Sequence, residues 1–463
     1  MITNTNKQTV ASHTHVSTVH EIKLKEKIGY GFGDFASQLL FCTVTTFLTF
    51  YYTDTIGIAA GVVGTLMLVA RVLDAFVDIG VGVLIDKTKS RHGKARPWLI
   101  WMAVPFSISG VILFTVPTTS AVITLIYVYV TYLLMNFIYS AINVPYGVIN
   151  SLITQDAYQR SVLNIFRMVL ANVGALLVTF FTLPLVSAFG DGKKGWIITI
   201  SIYGILGMIL FFVTFASTKE RVKPSVVKKD VPLKRGLKAL FRNKYWALMV
   251  VFAIAFFANN ALGSGINVYY AQYILNDKNL VGMLGMATLL PQLIGFCVLA
   301  FVIKHIGKRN SALVGSVIMI VGSLIIAIQP HNLVIVMIGL IIKALGTAAI
   351  MGTVFAMLAD TVEYGEWRSG VRTEGLVYSA GSFGTKAGSG LGIALVGWGL
   401  AIGGYVGGQT TVSALAHFSI QFMFIYLPVV FCVIQIAILL FYKLDQQYTD
   451  IVNELQSVRD LNR

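Results

Sequence analysis

Runs of roughly twenty apolar residues recur along almost the whole of this 463-residue chain, and nothing constrains its fold more. At 1.5 Å per residue such a run crosses a bilayer core as a helix. Inside lipid only helices and closed barrels satisfy their backbone hydrogen bonds. Twelve runs are read, at about 28–52, 58–85, 97–117, 121–149, 162–188, 195–217, 245–275, 281–303, 311–329, 332–358, 373–405 and 412–442. Only 12% of the residues are charged, against about a quarter in soluble domains. The expectation is an all-α membrane protein with twelve transmembrane helices.

Orientation follows from lysine and arginine, which collect in cytoplasmic segments. With the N-terminus inside, the inner segments hold 28 of the 35 basic residues, and the outer loops hold only Lys193, Lys194 and Lys278. Both termini are therefore expected to be cytoplasmic. The net charge of +15 is read as membrane orientation, not nucleic-acid binding. The basic stretch 217–244 divides the spans six and six. The expected division is a tail at 1–27, a six-helix bundle at 28–217, a linker at 218–244, a second bundle at 245–442 and a tail at 443–463. Short basic turns at 80–96 and 300–310 recur at the same place in each half, a faint internal repeat of the kind found in secondary transporters.

Several chemistries find no support in the motifs. No Walker A motif is present for ATP-driven pumping, and no HExxH or GxSxG motif for an enzyme. Cys42, Cys297 and Cys432 all lie in apolar runs, which argues against a disulfide framework. His13, His15 and His20 fall in the polar N-terminal tail and are not read as a metal site. No cofactor is expected.

The informative residues are the polar ones inside apolar runs. Arg71, Asp74 and Asp78 are spaced i, i+3, i+7 and share one helix face. Each charge near the centre of a membrane helix costs about 2.5–3.5 kcal/mol, so the three must face a wet cavity and each other. They form either a structural ion-pair cluster or a cation site. In span 1, Asp34 and Gln38 are four apart and share a face with Cys42 and Thr45. In span 4, Asn143 and Tyr146 flank Pro145, which kinks the helix; they serve as sugar partners or as helix–helix contacts. Arg167 interrupts span 5, cannot be neutralised, and needs a carboxylate or polyhydroxy ligand, with Asp34 a candidate. Lys386 sits among Gly and Ser in span 11, as counter-charge to Asp74 and Asp78 or as an interfacial lysine. Lys343, midway along span 10, has no evident partner. The stretch 358–375 carries Asp360, Glu363 and Arg372; with Arg160 these are read either as a cytoplasmic gate of exposed salt bridges or as a static turn.

The pieces YGFGDFASQ, YYTDTIGIAAGVVGTLMLVARVLDAFVD, IDKTKSRHGKARPW, INVPYG and LADTVEYGEWRSGVRTEGLVYSAGSFGTKAGSGLG together resemble the glycoside–pentoside–hexuronide:cation symporters of the major facilitator superfamily. The similarity covers nearly all of residues 25–445. The resemblance implies the major facilitator fold of two six-helix halves in the plasma membrane. It implies a cation site at Asp74 and Asp78 with Lys386 beside it, and a sugar contact at Arg167. Two acidic positions of the best-known relative, the melibiose carrier, are Gln38 and Asn143 here, and its tryptophan is Gly147. A hard cation such as Na⁺ wants several oxygens and negative charge. The missing carboxylates therefore favour H⁺ over Na⁺ at Asp74 and Asp78, and the pentoside branch, xyloside or isoprimeverose, over galactosides.

The resulting expectation is alternating-access symport of a cation with a glycoside. Asp34, Gln38, Asn143, Tyr146 and Arg167 hold the sugar; Asp74, Asp78, Lys386 and Arg71 handle the ion. A single chain is expected to suffice. The rivals are a Na⁺-coupled galactoside symporter, a lysolipid-type carrier and a non-transporting sugar sensor.

Overall fold

A computed structural model describes residues 22–154, 156–222, 238–370, 374–409 and 411–461. Among the described residues all regular structure is helical. The order is α1 (Leu24–Phe50), α2 (Ala60–Lys87), α3 (Arg96–Phe114), α4 (Ala121–Ile153), α5 (Ala157–Ala188) and α6 (Gly192–Ser217). There follow α7 (Lys244–Tyr273), α8 (Val281–Ile328), α9 (Leu333–Ser369), α10 (Glu374–Ile402), α11 (Ala414–Gln421), α12 (Leu427–Phe441) and α13 (Leu444–Leu461). Eleven stretches among the described residues are long and apolar enough to cross a membrane. The two limbs of α8 count separately, α11 and α12 count as one, and α1 is not among them.

The helix starts are chemically marked. Asp156, Asn243, Asn332 and Ser413 each accept backbone N–H bonds at the first turns of α5, α7, α9 and α11. At α3 the cap comes from a distance: the Glu220 carboxylate, beyond the end of α6, accepts from the backbone N–H groups of Lys94, Ala95 and Arg96 at 2.8–3.0 Å. Beside it Arg221 makes a two-bond pair with Glu26, each bond 2.8 Å, which raises the guanidinium's affinity for its proton further.

Two expectations at span boundaries are corrected. The expected loop at 304–310 is nearly absent. Helix α8 runs through it, broken only at Gly307, whose φ of 81° is open to glycine and costly for other residues. The stretch 358–375, read as a gate loop, is helical through Ser369 and closes on Gly370 in the left-handed conformation. The helix persists because Leu358, Thr361, Val362 and Tyr364 bury one face. The C-terminal tail is also helical: α13 packs on α9, and Trp367 donates to Glu454.

Helices α1–α6 pack among themselves, as do α7–α12, and the two groups meet mainly through α2 on α10, α5 on α8 and α1 on α7. The α2–α10 crossing is very close. A Cβ on Gly397 would lie 2.5 Å from the Ala60 carbonyl oxygen. Small residues at such contacts let membrane helices touch backbone to backbone. This places Lys386 of α10 against the charged face of α2.

Candidate functional site

The charge cluster lies where α2, α4 and α10 converge. Lys386 Nζ is 2.8 Å from Asp74 Oδ2 and 2.5 Å from Asp78 Oδ2. Ser140 of α4 donates to Asp74 Oδ1 at 2.7 Å. Arg71 Nη1 is 3.8 Å from Asp74 Oδ2 and its guanidinium lies 5.0 Å from the centre of the Phe41 ring. Arg71 and Asp74 are buried, at 3% and 1% exposure; the Asp78 side chain keeps 24%. Lys386 meets Asp74 Oδ2 at ion-pair distance without an aligned hydrogen bond, and Asp78 Oδ1 has no hydrogen-bond partner among the described residues. Two cations and two carboxylates therefore balance where α2, α4 and α10 meet.

A second pair forms across α1 and α5. Arg167 donates to Asp34 through Nε at 2.6 Å and Nη2 at 3.4 Å. The guanidinium stacks 4.8 Å above Tyr146, which in turn stacks on Tyr30 at 4.9 Å. The two tyrosines donate to each other's backbone carbonyls. A Cβ on Gly33 would strike the Tyr146 ring, so glycine there is what lets α1 and α4 close. The sequence-predicted partner of Arg167 is thus in place, on a rigid aromatic floor.

Between the two helical groups opens a cavity of about 250 Å3, which shares much of its wall with a neighbouring one of about 340 Å3. Gln38 and Phe41 line both, and Asp34 lines the second. Tyr146 is not on the wall but beneath it. Asn143 lies beside Tyr139, whose ring stacks on Phe41 at 4.8 Å. Phe41 therefore touches the cavity on one side and, through Arg71, the charge cluster on the other.

Apart from Lys343, the opposite wall was missed by sequence reasoning. Asn259, Asn260, Ser264 and Asn267 of α7, Gln292 of α8 and Lys343 of α9 line the cavity. The signal was present: Asn260, Ser264 and Asn267 stand at i, i+4, i+7, one polar stripe on an apolar helix.

Two of the expected gate residues find partners within their own helical group. Arg160 donates to the Thr154 carbonyl of its own loop at 2.8 Å. Asp360 pairs with Lys308 of α8 at 2.6 Å, within one group. Glu363 lies on α9 one turn beyond Asp360. Arg372 lies outside the described residues. Besides the Lys386 pairs, a set of cross-group bonds lies at the opposite face. Asp54, after α1, accepts from Tyr273 of α7 at 2.8 Å and from Tyr405 at 2.7 Å, while Thr53 and Tyr269 share a bond of 2.8 Å. Lys278 pairs with Asp191 nearby at 3.2 Å; that ammonium and the Ser187 hydroxyl hold the carboxyl below its usual range.

Residues 29–446 match the family described as MFS/sugar transport protein. The chain belongs to this family. It is 38% identical to the isoprimeverose transporter of Lactiplantibacillus pentosus, over 93% of this chain and 91% of that one. It is 34% identical to a putative glycoside/cation symporter of Escherichia coli, over 92% and 93%. The solved nucleoside transporter NupG shares the fold, with a TM-score of 0.65 at 14% identity over 90% of this chain and 99% of that one. The sequence resemblance to glycoside:cation symporters therefore holds. The protein is a multi-pass plasma-membrane secondary transporter of sugar, not an enzyme.

Proposed function

We propose that this chain couples inward movement of a proton to uptake of a pentose-type glycoside by alternating access. The observation that carries the reading is Lys386 held between Asp74 and Asp78, next to a cavity built from both helical groups. In this reading α1 is a span as well, which makes twelve, and the basic census places both termini in the cytoplasm.

The cluster is balanced as it stands. A proton taken by Asp78, the more exposed carboxyl, removes one of Lys386's partners and leaves a net positive charge. That loosens the α2–α10 contact. A Na⁺ ion would need about six oxygen ligands. Asp74, Asp78 and Ser140 offer five, but an ammonium already sits among them, which supports H⁺. The sugar is held by Asp34 and Gln38 on one wall, with Arg167 behind Asp34, and by the amides of α7 and α8 on the other. These amide and carboxylate groups suit the hydroxyls of a sugar. Phe41, shared by both sites, would carry the coupling. The similarity to an isoprimeverose transporter supports the pentoside class.

Proteoliposomes given an inward proton gradient are expected to accumulate labelled methyl β-D-xyloside, and those given only a Na⁺ gradient are not. Accumulation driven by Na⁺ alone would overturn the proton assignment.

A further inference from the structure

Away from the central cavity, the start of α7 and the end of α9 meet beside a second hollow, of about 410 Å3. Both helices are long and apolar enough to be spans, so the hollow lies where two spans end. Its floor is a close contact. Asn243, buried at the cap of α7, donates through Nδ2 to the Thr361 carbonyl of α9 at 2.7 Å. A Cβ on Gly365 would lie 3.0 Å from that Nδ2, so glycine lets the two ends approach.

Three cationic side chains line the hollow, Lys238, Arg242 and Arg368, and no acidic one does. Arg221 and Lys308, also in inner segments, are held by Glu26 and Asp360, whereas none of these three has a carboxylate within ion-pair distance among the described residues. The fold nevertheless gathers them. Lys238 and Arg242 stand four residues apart, just before α7. Arg368 stands on the last turn of α9, where its Nη1 donates to the Tyr364 hydroxyl at 2.9 Å. That bond fixes the guanidinium and uses only one of its N–H donors.

Phosphate is the anion this set suits. Arginine grips it with parallel N–H bonds, and lysine meets it as a point charge. The flanks indicate its source. Phe241, next to Arg242, is 73% exposed, and Trp367, next to Arg368, is 46% exposed. Exposed aromatic rings at the ends of spans belong to the headgroup layer of a membrane. In the proposed orientation these ends face the cytoplasm, where anionic lipids attract basic segments.

We propose that this hollow binds the phosphate of an anionic phospholipid, with Lys238, Arg242 and Arg368 as its receptor. The phosphate supplies the missing counter-charge and ties the start of α7 to the end of α9. Phe241 and Trp367 meet the apolar part of the same lipid.

The test uses the purified full-length chain in detergent, with bound lipid counted by native mass spectrometry. The probes are dioleoyl phosphatidylglycerol, the zwitterionic dioleoyl phosphatidylcholine, and glycerol 3-phosphate, which has no acyl chains. Phosphatidylglycerol is expected to bind at least tenfold tighter than phosphatidylcholine. The triple variant Lys238→Gln/Arg242→Gln/Arg368→Gln is expected to lose that preference. A control triple, Lys87→Gln/Lys89→Gln/Arg91→Gln, removes the same charge from the basic turn after α2 and is expected to keep it. Arg242→Lys/Arg368→Lys preserves the charge and should keep most of the preference, which separates lost charge from lost folding. No preference in the unmodified protein would overturn the proposal, as would equal losses in the two triples or a preference lost in the charge-preserving pair. Displacement of the lipid by equimolar glycerol 3-phosphate would overturn it in favour of a soluble phosphate ester.

Discussion

At the scale of single residues the protein is an exercise in placing charge where lipid forbids it. Asp74 is fully enclosed and meets Lys386, Arg71 and Ser140 at once. Removing one partner of a buried charge set typically costs about 3–5 kcal/mol, since the remaining charges are stranded. Asp74→Asn is therefore expected to abolish uphill accumulation of sugar; undiminished uphill uptake would remove Asp74 from the ion site. Arg167→Ala strips two charged hydrogen bonds, each worth about 1.5–3 kcal/mol. It should raise the apparent sugar Kd at least tenfold, measured by substrate protection, and an unchanged Kd would take Arg167 out of the sugar site. Much of this scale was legible beforehand. The spacing of 71, 74 and 78, the counter-charge at 386 and the pairing of Arg167 with Asp34 all follow from the cost of charge in an apolar run. The α7 amides were not read, because an uncharged Asn in a span carries little such penalty. Asn143 and Tyr146 lie behind the wall, since their helix face is taken up by Tyr139 and by the Tyr30 stack.

At the scale of helices, glycine sets how closely the charged surfaces meet. On Gly397 a Cβ would press on α2 backbone, which cannot move aside as a flexible side chain can. Gly397→Val is expected to destabilise the protein by about 1–3 kcal/mol, seen as a lowered Tm in detergent. Gly80→Ala, with no heavy atom within 4 Å of the added methyl, should leave Tm unchanged or slightly raised. Equal losses at both positions would contradict a role for the α2–α10 contact. Span existence was readable from apolar length, but span ends were not. Charged residues in 358–375 suggested a loop, yet their buried apolar neighbours carry α9 on to Ser369. The basic turn at 304–310 likewise shrinks to one glycine, because Arg309 and Ser311 find helix-compatible partners in the Leu439 and Gly307 carbonyls.

At the scale of the whole molecule, the two helical groups are tied together on the Asp54 face. On the other face the ion pairs given above stay within a group. In the proposed orientation this closes the outer mouth. Asp54 was invisible as a latch in the sequence, since its partners lie more than 200 residues away on α7 and beyond α10. Asp54→Asn weakens two hydroxyl bonds to a carboxylate and should favour the outward-open state. With Cys297 and Cys432 replaced by serine, an impermeant thiol reagent added outside should then reach Cys42, on the cavity wall, several-fold faster than without the substitution. An unchanged rate would sink the latch.

The central claim is that sugar and proton move together through the Asp74–Asp78–Lys386 cluster, and a pH electrode tests it most directly. Adding methyl β-D-xyloside to de-energised, weakly buffered cells expressing the protein should alkalinise the medium at once. The same cells carrying Asp74→Asn should show no change. Uptake of the glycoside that depends on Na⁺ and moves no protons would contradict the account.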